Sequence, residues 1–326
     1  MSSQSVAYFE HHEGDYVAAD ESDINQYSWV KIWCVFLVQL ILSIPNLVKD
    51  FIQQHIWAPK KSIAGSVALV SGGANGLGKA LCFALAREGC KIAVVDIDLK
   101  GAGKTVENIR LTGGEAEAFR ADVADTRSVQ QLRKAVEAAL GPVDILVNNA
   151  GLLSFVQMCQ GTDEEIQRII NVNLASHFWM NRQFMPGMLQ RKKGHIVGIS
   201  SVFGLIPNYR TIAYGATKFG ISGMMASLGD EIYFGGNGDN VFTTCVYPCL
   251  VASRKDFMKM VNKIGILVKS VSPEHAADLV VDGVLRNKSE IILDSCFMRF
   301  LIQIHGLCST RMRRIFTKSV CVNTDV

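Results

Sequence analysis

The feature that most constrains the fold is a stretch near residue 66 in which an apolar run, a glycine-rich turn and an amphipathic helical pattern follow one another. The run GSVALVSG leads into Gly72, Gly76 and Gly78, and the helical pattern begins near Leu77. A second apolar run, KIAVVDID, then ends in Asp96. This order is typical of a βαβ unit that binds a dinucleotide, because glycines let the backbone approach a pyrophosphate that the helix N-terminus attracts.

Short apolar runs without polar alternation continue through the middle of the chain. They lie near Ala118, Ile145, Ile196 and Val241 and in SEIIL from Ser289, and helical patterns start at Asp163 and near Tyr214. Strands of this kind belong to a parallel sheet that helices cover on both faces. We therefore predict an α/β fold, a Rossmann-type doubly wound parallel sheet of about seven strands flanked by helices, in a single catalytic domain.

A second motif lies in the segment GHIVGISSVFGLIPNYRTIAYGATKFG. Tyr214 precedes Lys218 by four positions and follows Ser201 by thirteen. Positions four apart share one face of a helix, so we expect the Lys218 ammonium beside the Tyr214 ring, where it lowers a phenol pKa that is ordinarily about 10. Ser201, at the end of a strand, is placed to hydrogen-bond a substrate oxygen. The spacing predicts a hydride-transfer site with a tyrosine acid/base.

Asp96 bears on the choice of dinucleotide. An acid about twenty residues after the glycines is placed to accept hydrogen bonds from the adenosine ribose, and its charge repels the additional phosphate of NADP. We expect NAD, with NADP less favoured, although Lys79 and Lys100 lie nearby in the sequence. The alternative for Asp96 is an ordinary carboxylate in water at a strand end.

Together the glycine turn, NNAG at residues 148–151, Asn173 in INVNL, Ser201 and YGATK resemble the short-chain dehydrogenase/reductase family over roughly residues 63–295. The resemblance implies Tyr214 as the acid/base and Ser201 as the partner of the substrate oxygen. Lys218 would bind the nicotinamide ribose, and Asn173 would hold a water in a proton relay. The implied cofactor contacts are Ser71, Gly72, Asn75, Gly76, Leu77, Gly78, Asp96, Asp122, Val123, Asn149, Lys218 and Ser253, with Asp122 and Val123 at the adenine.

Three positions depart from the family pattern or leave a choice open. Ser71 replaces the usual threonine but keeps a hydroxyl. After the sixth strand the family usually has Pro-Gly, whereas this chain has Pro248-Cys249, and we interpret Cys249 as a packing residue. Ser200 competes with Ser201 for the substrate oxygen, and the thirteen-residue spacing favours Ser201.

A closer likeness is carried by NVNLASHFWMNRQFMPGML and KKGHIVGISS. These segments resemble a branch of the family whose members associate with membranes or lipid droplets and act on lipophilic alcohols such as steroids and retinoids. Residues 253–275 mix apolar side chains with four lysines, which we interpret as an amphipathic lid suited to a lipophilic substrate and an anionic membrane surface. The alternative is a solvated surface helix packed on its own core.

The two ends of the chain differ from its middle. Residues 1–28 carry six acids and no Lys or Arg, which predicts a disordered acidic tail. Residues 29–57 include a twenty-residue apolar stretch from Trp29 to Val48, which predicts a membrane anchor, spanning or in-plane, with a soluble packing helix as the alternative. Residues 296–326 combine an apolar run with four arginines and a lysine, and we expect membrane attachment first and a homodimer contact second.

The composition argues against other classes of protein. A net charge of only +3 argues against a nucleic-acid partner, and the seven histidines show no metal-ligand spacing, so no metal is expected. Nine scattered cysteines are a poor disulfide framework and fit a reducing compartment. With Lys49, Lys60 and Lys61 following the anchor, we expect the catalytic domain to face the cytosol from the endoplasmic reticulum membrane or a lipid droplet.

These observations predict a membrane-associated oxidoreductase that transfers hydride between NAD(H) and a lipophilic alcohol, ketone or aldehyde of the steroid, retinoid or fatty-alcohol class. Two alternatives stay open. One is an NADP-dependent carbonyl reductase, and the other is a catalytically silent lipid-droplet scaffold protein.

Overall fold

The computed structural model describes a central block of the chain and parts of both ends. The described residues are 31, 33–39, 41–42, 44–45, 59–154, 158–159, 161–207, 209, 211–252, 270–293, 302, 304–305 and 308–320. The chain divides into two compact units, Met1–Trp57 and Ala58–Val326. The predicted acidic tail at 1–28, the lid residues 253–269 and Ser253 lie outside the described residues.

In the first unit, the described residues between 31 and 45 are helical and exposed. They include large apolar side chains with half or more of their surface accessible: Trp33, Val35, Phe36, Leu37, Val38, Ile41, Leu42 and Ile44. Over the described part of the chain, we find no helix with both the length and the apolar character needed to cross a bilayer.

The second unit is built on a seven-stranded sheet in which every neighbouring pair is parallel. The strands are β1 (Val67–Ser71), β2 (Lys91–Asp96), β3 (Ala116–Arg120), β4 (Val143–Asn148), β5 (Gly194–Ile199), β6 (Val241–Pro248) and β7 (Glu290–Leu293). Their order across the sheet is β3-β2-β1-β4-β5-β6-β7. The order reverses between β1 and β4, which opens a crevice at the carboxyl ends of these two strands.

Helices connect the strands and follow the last of them. They are α1 (Gly76–Arg87), α2 (Leu99–Leu111), α3 (Thr126–Leu140), α4 (Asp163–Ile170), α5 (Ser176–Arg191), α6 (Ile212–Ile232), α7 (Pro273–Leu285) and α8 (Thr310–Val320). Asp125 accepts the backbone N–H groups of Arg127 and Ser128 at the start of α3, and Thr162 and Glu165 form a capping box at the start of α4.

The core lies in two apolar layers, one on each face of the sheet. Successive residues of β1 point to opposite faces, so Ala68 and Val70 pack with α1, α2 and α7, whereas Val67 and Leu69 pack with α3, α5 and α6. All residues of β1, β4 and β5 are buried. The predicted doubly wound parallel sheet of seven strands is therefore confirmed.

Two local details differ from the sequence analysis. The helical pattern from Asp163 is not one helix, because α4 ends at Ile170 and a π-helical turn, Asn171–Ala175, separates it from α5. The segment that we assigned to the lid ends in a buried helix instead: α7 begins at Pro273, with the Ser272 side chain accepting the His275 N–H, and packs against the sheet through Val280 and Val284. Proline at the first helical position favours this start.

Candidate functional site

The glycine turn between β1 and α1 is a close fit of backbone against backbone. Gly72 has a positive φ of 68°, and a Cβ there would lie 3.0 Å from the Ala150 Cα. A Cβ on Gly78 would lie 2.1 Å from the Gly72 carbonyl oxygen. Only glycine fits at these two positions, so the sequence prediction of a tight turn has a direct steric cause.

A hydroxyl joins this turn to β4. Ser71 Oγ donates to the Val147 carbonyl oxygen at 3.2 Å and accepts the backbone N–H groups of Asn149 at 2.9 Å and Ala150 at 3.1 Å. The Asn149 side-chain amide in turn donates to the carbonyl oxygens of Ser71 and Gly72 at 2.9 Å and 3.3 Å. Ser71 and Asn149 thus hold the turn in place from behind, which sequence reasoning did not indicate for Asn149.

The N-terminus of α1 opens toward the crevice with no side-chain cap. Asn75 has extended backbone angles, its side chain makes no capping hydrogen bond, and the first turn of α1 contains no acid. The first backbone N–H groups of a helix have no partner within the helix and carry partial positive charge. Together with the glycine turn, this end of α1 fits the pyrophosphate of a dinucleotide.

Asp96 ends β2 beside the same turn. One of its carboxylate oxygens accepts the Ala74 N–H at 3.0 Å, and the other accepts the Asp98 N–H at 3.0 Å. The two hydrogen bonds fix the plane of the carboxylate, and each oxygen keeps a lone pair for a further donor. This arrangement suits acceptance of ribose hydroxyl hydrogens.

A cleft of about 1110 Å³ runs along the carboxyl ends of β1, β2 and β4. It is lined by the predicted cofactor residues Gly72, Asn75, Gly76, Leu77, Gly78, Asp96, Asp122, Val123 and Asn149. The buried Ser71 lies behind the turn, and Lys218 is not part of the lining. The cleft is slightly larger than the usual ligand pocket of about 300–1,000 Å³, and its lining suits an extended ligand such as a nicotinamide dinucleotide.

Sequence reasoning missed part of this lining. Ile97, directly after Asp96, is 59% exposed and lines the cleft, as do Glu164, Gln167 and Arg168 of α4. The periodicity of α4 predicts a helix but does not tell which face it turns toward the cleft. Ile97 could have been noted as an apolar side chain at a strand end.

The predicted catalytic side chains come together where α6 packs against the end of β5. Lys218 Nζ lies 5.5 Å from the centre of the Tyr214 ring. Ser201 directly precedes a short 3-10 turn, Val202–Gly204, and its Oγ accepts the Phe203 N–H at 3.2 Å. Phe203 packs edge-on against the Tyr214 ring, with 6.5 Å between ring centroids. Ser201 Oγ also donates to the Pro248 carbonyl oxygen at 3.4 Å, and the Ser201 side chain lies near enough to the Tyr214 hydroxyl to lower the Tyr214 pKa.

The two adjacent serines have different surroundings. Ser200 Oγ donates to the Lys218 carbonyl oxygen at 2.9 Å and lies 3.1 Å from Ser222 Oγ, so it ties β5 to the backbone of α6. Ser201 Oγ instead contacts the Phe203 N–H and the Pro248 carbonyl oxygen, near the Tyr214 side chain. Ser201 therefore stays our predicted partner of the substrate oxygen.

The pKa of Tyr214 differs from our expectation. Burial raises the pKa of the phenol to about 12, and the nearby Ser201 side chain only partly opposes this. Burial likewise lowers the pKa of Lys218 to about 8. The expectation that the ammonium makes the phenol acidic is wrong for this structure. Burial has the largest effect on the Tyr214 pKa, and the Lys218 ammonium donates to the Ile199 carbonyl oxygen at 2.8 Å.

Asn173 lies in the π-helical turn and is fully buried. Its side chain accepts the Leu152 N–H at 2.7 Å and donates to the Leu152 carbonyl oxygen at 2.8 Å and to Thr217 Oγ1 at 3.4 Å. It therefore connects the segment after β4 to α6. Single π-helical turns are frequent at functional sites, and this one sets the position of Asn173.

His177 is a further buried polar group near this cluster. Burial and the charge of Lys218 lower the pKa of its imidazole to about 3, so the ring is neutral at physiological pH. Its Nδ1 has no hydrogen-bond partner among the described residues. The sequence offered no motif that would have singled it out.

Comparison with known proteins agrees with this geometry. Residues 66–263 match the model of the short chain dehydrogenase family. Estradiol 17-beta-dehydrogenase 11 of Mus musculus is 30% identical over 286 residues, which cover 88% of this chain and 93% of that protein. The 17-beta-hydroxysteroid dehydrogenase 13 of Homo sapiens is 30% identical over 268 residues, covering 82% and 86%.

A solved structure adds to the comparison. A metagenomic short-chain oxidoreductase in complex with NADP superimposes with a TM-score of 0.61 at 29% identity, covering 72% of this chain and 98% of that one. The protein is an NAD(P)-dependent oxidoreductase that acts on the CH–OH group of donors. It belongs to the short-chain dehydrogenase family, in the branch that includes estradiol 17-beta-dehydrogenase 11 and 17-beta-hydroxysteroid dehydrogenase 13.

Proposed function

We propose that this enzyme is an NAD-preferring dehydrogenase of a lipophilic alcohol, with Tyr214 as the acid/base. The observation that carries the proposal is the meeting of Tyr214, Ser201 and Lys218 at the end of β5. Lys218 Nζ lies 4.0 Å from the place of a Cβ on Gly151, and Gly151 lines the cleft. Residues 63–295 form the catalytic domain in this proposal. Similarity to two 17-beta-hydroxysteroid dehydrogenases supports a steroid or a comparably apolar alcohol as substrate.

Each catalytic residue has one task. Ser201 hydrogen-bonds the substrate oxygen and holds it against the Tyr214 hydroxyl, which exchanges a proton with that oxygen. Lys218 supplies positive charge near the phenol, and Asn173 holds the segment after β4 to α6. By its resemblance to the family, Asn173 would also hold a water in a proton relay. A nicotinamide dinucleotide held by the glycine turn and by Asp96 would supply the hydride chemistry between the alcohol and the carbonyl compound.

The second candidate function is carbonyl reduction. The raised pKa of Tyr214 supports it at neutral pH. A phenol with a pKa of about 12 holds its proton, and the protonated form is the one that carbonyl reduction requires. An NADP-dependent carbonyl reductase would use this form directly. We therefore expect alcohol oxidation to gain rate as the pH rises, and carbonyl reduction to lose rate.

The substitution Tyr214→Phe tests the mechanism. Membranes containing the full-length protein are assayed for NADH formation with steroid, retinoid and fatty alcohols. The variant should lose about 10²–10⁴ in kcat with at least one of these substrates and still bind cofactor, because only the transferable proton is removed. Unchanged turnover would reject Tyr214 as acid/base, and a lack of turnover in the unmodified protein with every alcohol and ketone would favour the silent scaffold.

The proposed preference for NAD rests on the Asp96 carboxylate, which the Ala74 and Asp98 N–H groups orient. Removing its charge with Asp96→Asn should raise the ratio of kcat/KM for NADP over NAD about tenfold, because like charges repel near a protein surface. Asp98→Asn is the matched control: Asp98 Oδ1 accepts the Gly101 N–H, and asparagine preserves that cap. A preference of the unmodified protein for NADP would overturn the assignment.

We also propose attachment to the cytosolic face of the endoplasmic reticulum membrane or to lipid droplets. Exposed apolar side chains on the helical residues between 31 and 45 support an anchor within residues 29–57. On α8, Arg311, Arg313 and Arg314 accompany exposed Met312 and Ile315, which supports attachment through residues 296–326 or a homodimer contact there. Flotation with vesicles should capture the full chain, and a variant that begins at Ala58 should be captured less because it keeps only residues 296–326 for attachment. Equal capture of both would place the anchor outside residues 29–57.

A further inference from the structure

A row of buried polar side chains runs along the π-helical turn and α5. Asn173, His177 and Asn181 follow one another at intervals of four residues, and all three are buried. Residues four apart share one face of a helix. At its far end the row meets the sheet, because Asn148, the last residue of β4, donates through its side-chain Nδ2 to Asn181 Oδ1 at 2.9 Å.

Two buried atoms at this junction have no hydrogen-bond partner among the described residues. They are Asn148 Oδ1 and His177 Nδ1. The two side chains are 2% and 1% exposed, so bulk water does not reach them. Buried polar atoms nearly always have a partner, which is either another protein group or an ordered water. Both atoms therefore require a partner that the side chains around them do not supply.

The two atoms lie on the same buried interface. His177 is one helical turn before Asn181, and Cβ atoms at this spacing are about 5–6 Å apart. Helical side chains lean toward the helix N-terminus, so Asn181 meets the Asn148 amide on the side of His177. Alternate residues of a strand share a face, so Asn148 points to the same apolar layer as Leu146, the layer that contains α5.

A water molecule matches both atoms. Asn148 Oδ1 is an amide oxygen and only accepts, while Nδ2 of the same amide donates to Asn181. Burial and the charge of Lys218 lower the pKa of His177 to about 3, so the ring is neutral and Nδ1 either donates or accepts. A water has two hydrogens and two lone pairs, so it satisfies both atoms whichever ring nitrogen carries the proton.

We propose that Asn148 and His177 bind an internal water, and that His177, acting through this water, is a positioning residue for the cofactor. The effect reaches the cofactor through the end of β4. Directly after Asn148, the backbone N–H groups of Asn149 and Ala150 donate to Ser71 Oγ and hold the glycine turn. An Asn148 side chain bonded at both amide atoms keeps these two N–H groups in place. The inference rests on the cleft as the cofactor site.

Two substitutions of His177 separate polarity from packing. Leucine fills a volume similar to that of histidine but cannot bind water. Asparagine is smaller, yet one of its terminal amide atoms takes the place of the imidazole Nδ1. We expect His177→Leu to raise the Kd for NADH about tenfold and His177→Asn to change it by less than about threefold, because only leucine leaves the Asn148 oxygen without its water.

The Kd is measured on the full-length protein by titration with NADH fluorescence. This measurement involves no turnover, so its outcome is independent of the role of Tyr214. Ser176→Ala is the matched control, because Ser176 is a buried neighbour of His177 whose Oγ donates to the Val172 carbonyl oxygen at 2.7 Å within the same helical stretch. This variant should bind NADH as the unmodified protein does. If His177→Leu binds NADH as well as His177→Asn does, the proposal is overturned.

A double variant tests whether the two side chains share one water. When Asn148→Ala and His177→Leu are combined, the Kd for NADH should rise no further than in the weaker-binding single variant, because the water is lost only once. Effects that multiply would show that the two residues act independently, which contradicts the proposal.

A crystal structure of the full-length protein that resolves ordered waters gives a direct test. We expect a water within about 3.2 Å of both Asn148 Oδ1 and His177 Nδ1. A direct hydrogen bond between these two atoms, or an interface without a water, would overturn the proposal.

Discussion

Gly78 offers a sharp test of the steric reasoning at the cofactor turn. A Cβ at this position would lie 2.1 Å from the Gly72 carbonyl oxygen and 2.5 Å from Asn149 Nδ2. The Gly72 carbonyl would have to retreat by about 1 Å to reach the 3.0 Å below which real Cβ contacts essentially never fall. The Gly72 carbonyl oxygen and the Asn149 side chain are hydrogen-bonded to each other and hold the turn, so Gly78→Ala displaces the turn itself.

The expected loss of stability is the difference between two effects. Overpacking of this kind costs about 1–3 kcal/mol, whereas alanine in place of glycine inside a helix contributes about 1 kcal/mol of stability. We expect Gly78→Ala to lower the free energy of unfolding by up to about 2 kcal/mol. Because the displaced carbonyl borders the proposed pyrophosphate position, the cofactor Kd should rise at least about tenfold.

Gly103→Ala is the matched control. Gly103 lies within α2, and a Cβ there would have no heavy atom within 4 Å. This variant should raise the free energy of unfolding by about 0.5–1 kcal/mol and leave the cofactor Kd unchanged. Urea unfolding followed by circular dichroism and titration with NADH fluorescence measure both quantities. If Gly78→Ala is as stable as Gly103→Ala and binds cofactor equally well, the steric account of the turn is wrong.

Two further predictions concern the catalytic cluster. Ser201→Ala should lower kcat by about 10²-fold, whereas Ser200→Ala should keep most of its kcat. Both variants should lose about 1 kcal/mol of stability, because each removes buried hydrogen bonds, so steady-state kinetics separates them and urea unfolding checks that both remain folded. Lys218 has a folded pKa of about 8 against 10.5, so the unfolded chain binds more protons between these values and the free energy of unfolding should rise with pH there. Lys218→Met should flatten that rise, and the exposed Lys104→Met should not; an equal slope in all three proteins would contradict the burial of Lys218.

The sequence predicted the fold through features that are local. The apolar runs of β1, β4 and β5 lack alternation because both faces of the sheet are covered, and this is visible without coordinates. The glycine turn was identified in the same way, because the strand, turn, helix and second strand from β1 to Asp96 follow one another in the sequence. In contrast α7 was missed, because its start follows the lysine-rich segment that suggested a lid.

The candidate site was predictable in position but not in electrostatics. Spacing placed Tyr214 and Lys218 on one helical face, and their 5.5 Å separation agrees. The direction of the Tyr214 pKa depends on how much water the fold removes and on the Ile199 carbonyl that Lys218 meets, and neither follows from spacing. Asn149 likewise acts on the turn through hydrogen bonds to Ser71 and Gly72, which are 78 and 77 positions earlier in the sequence. Spacing does not reveal such distant contacts.

The hydrogen bonds of Ser71 Oγ connect the glycine turn to the end of β4. Because the turn is already ordered by these bonds, it loses little conformational entropy when a nucleotide binds, and the affinity depends mainly on the contacts with the nucleotide. This connection also makes the glycine turn sensitive to its surroundings. A substitution that shifts the end of β4 also displaces the turn, even when the substituted residue does not contact the nucleotide.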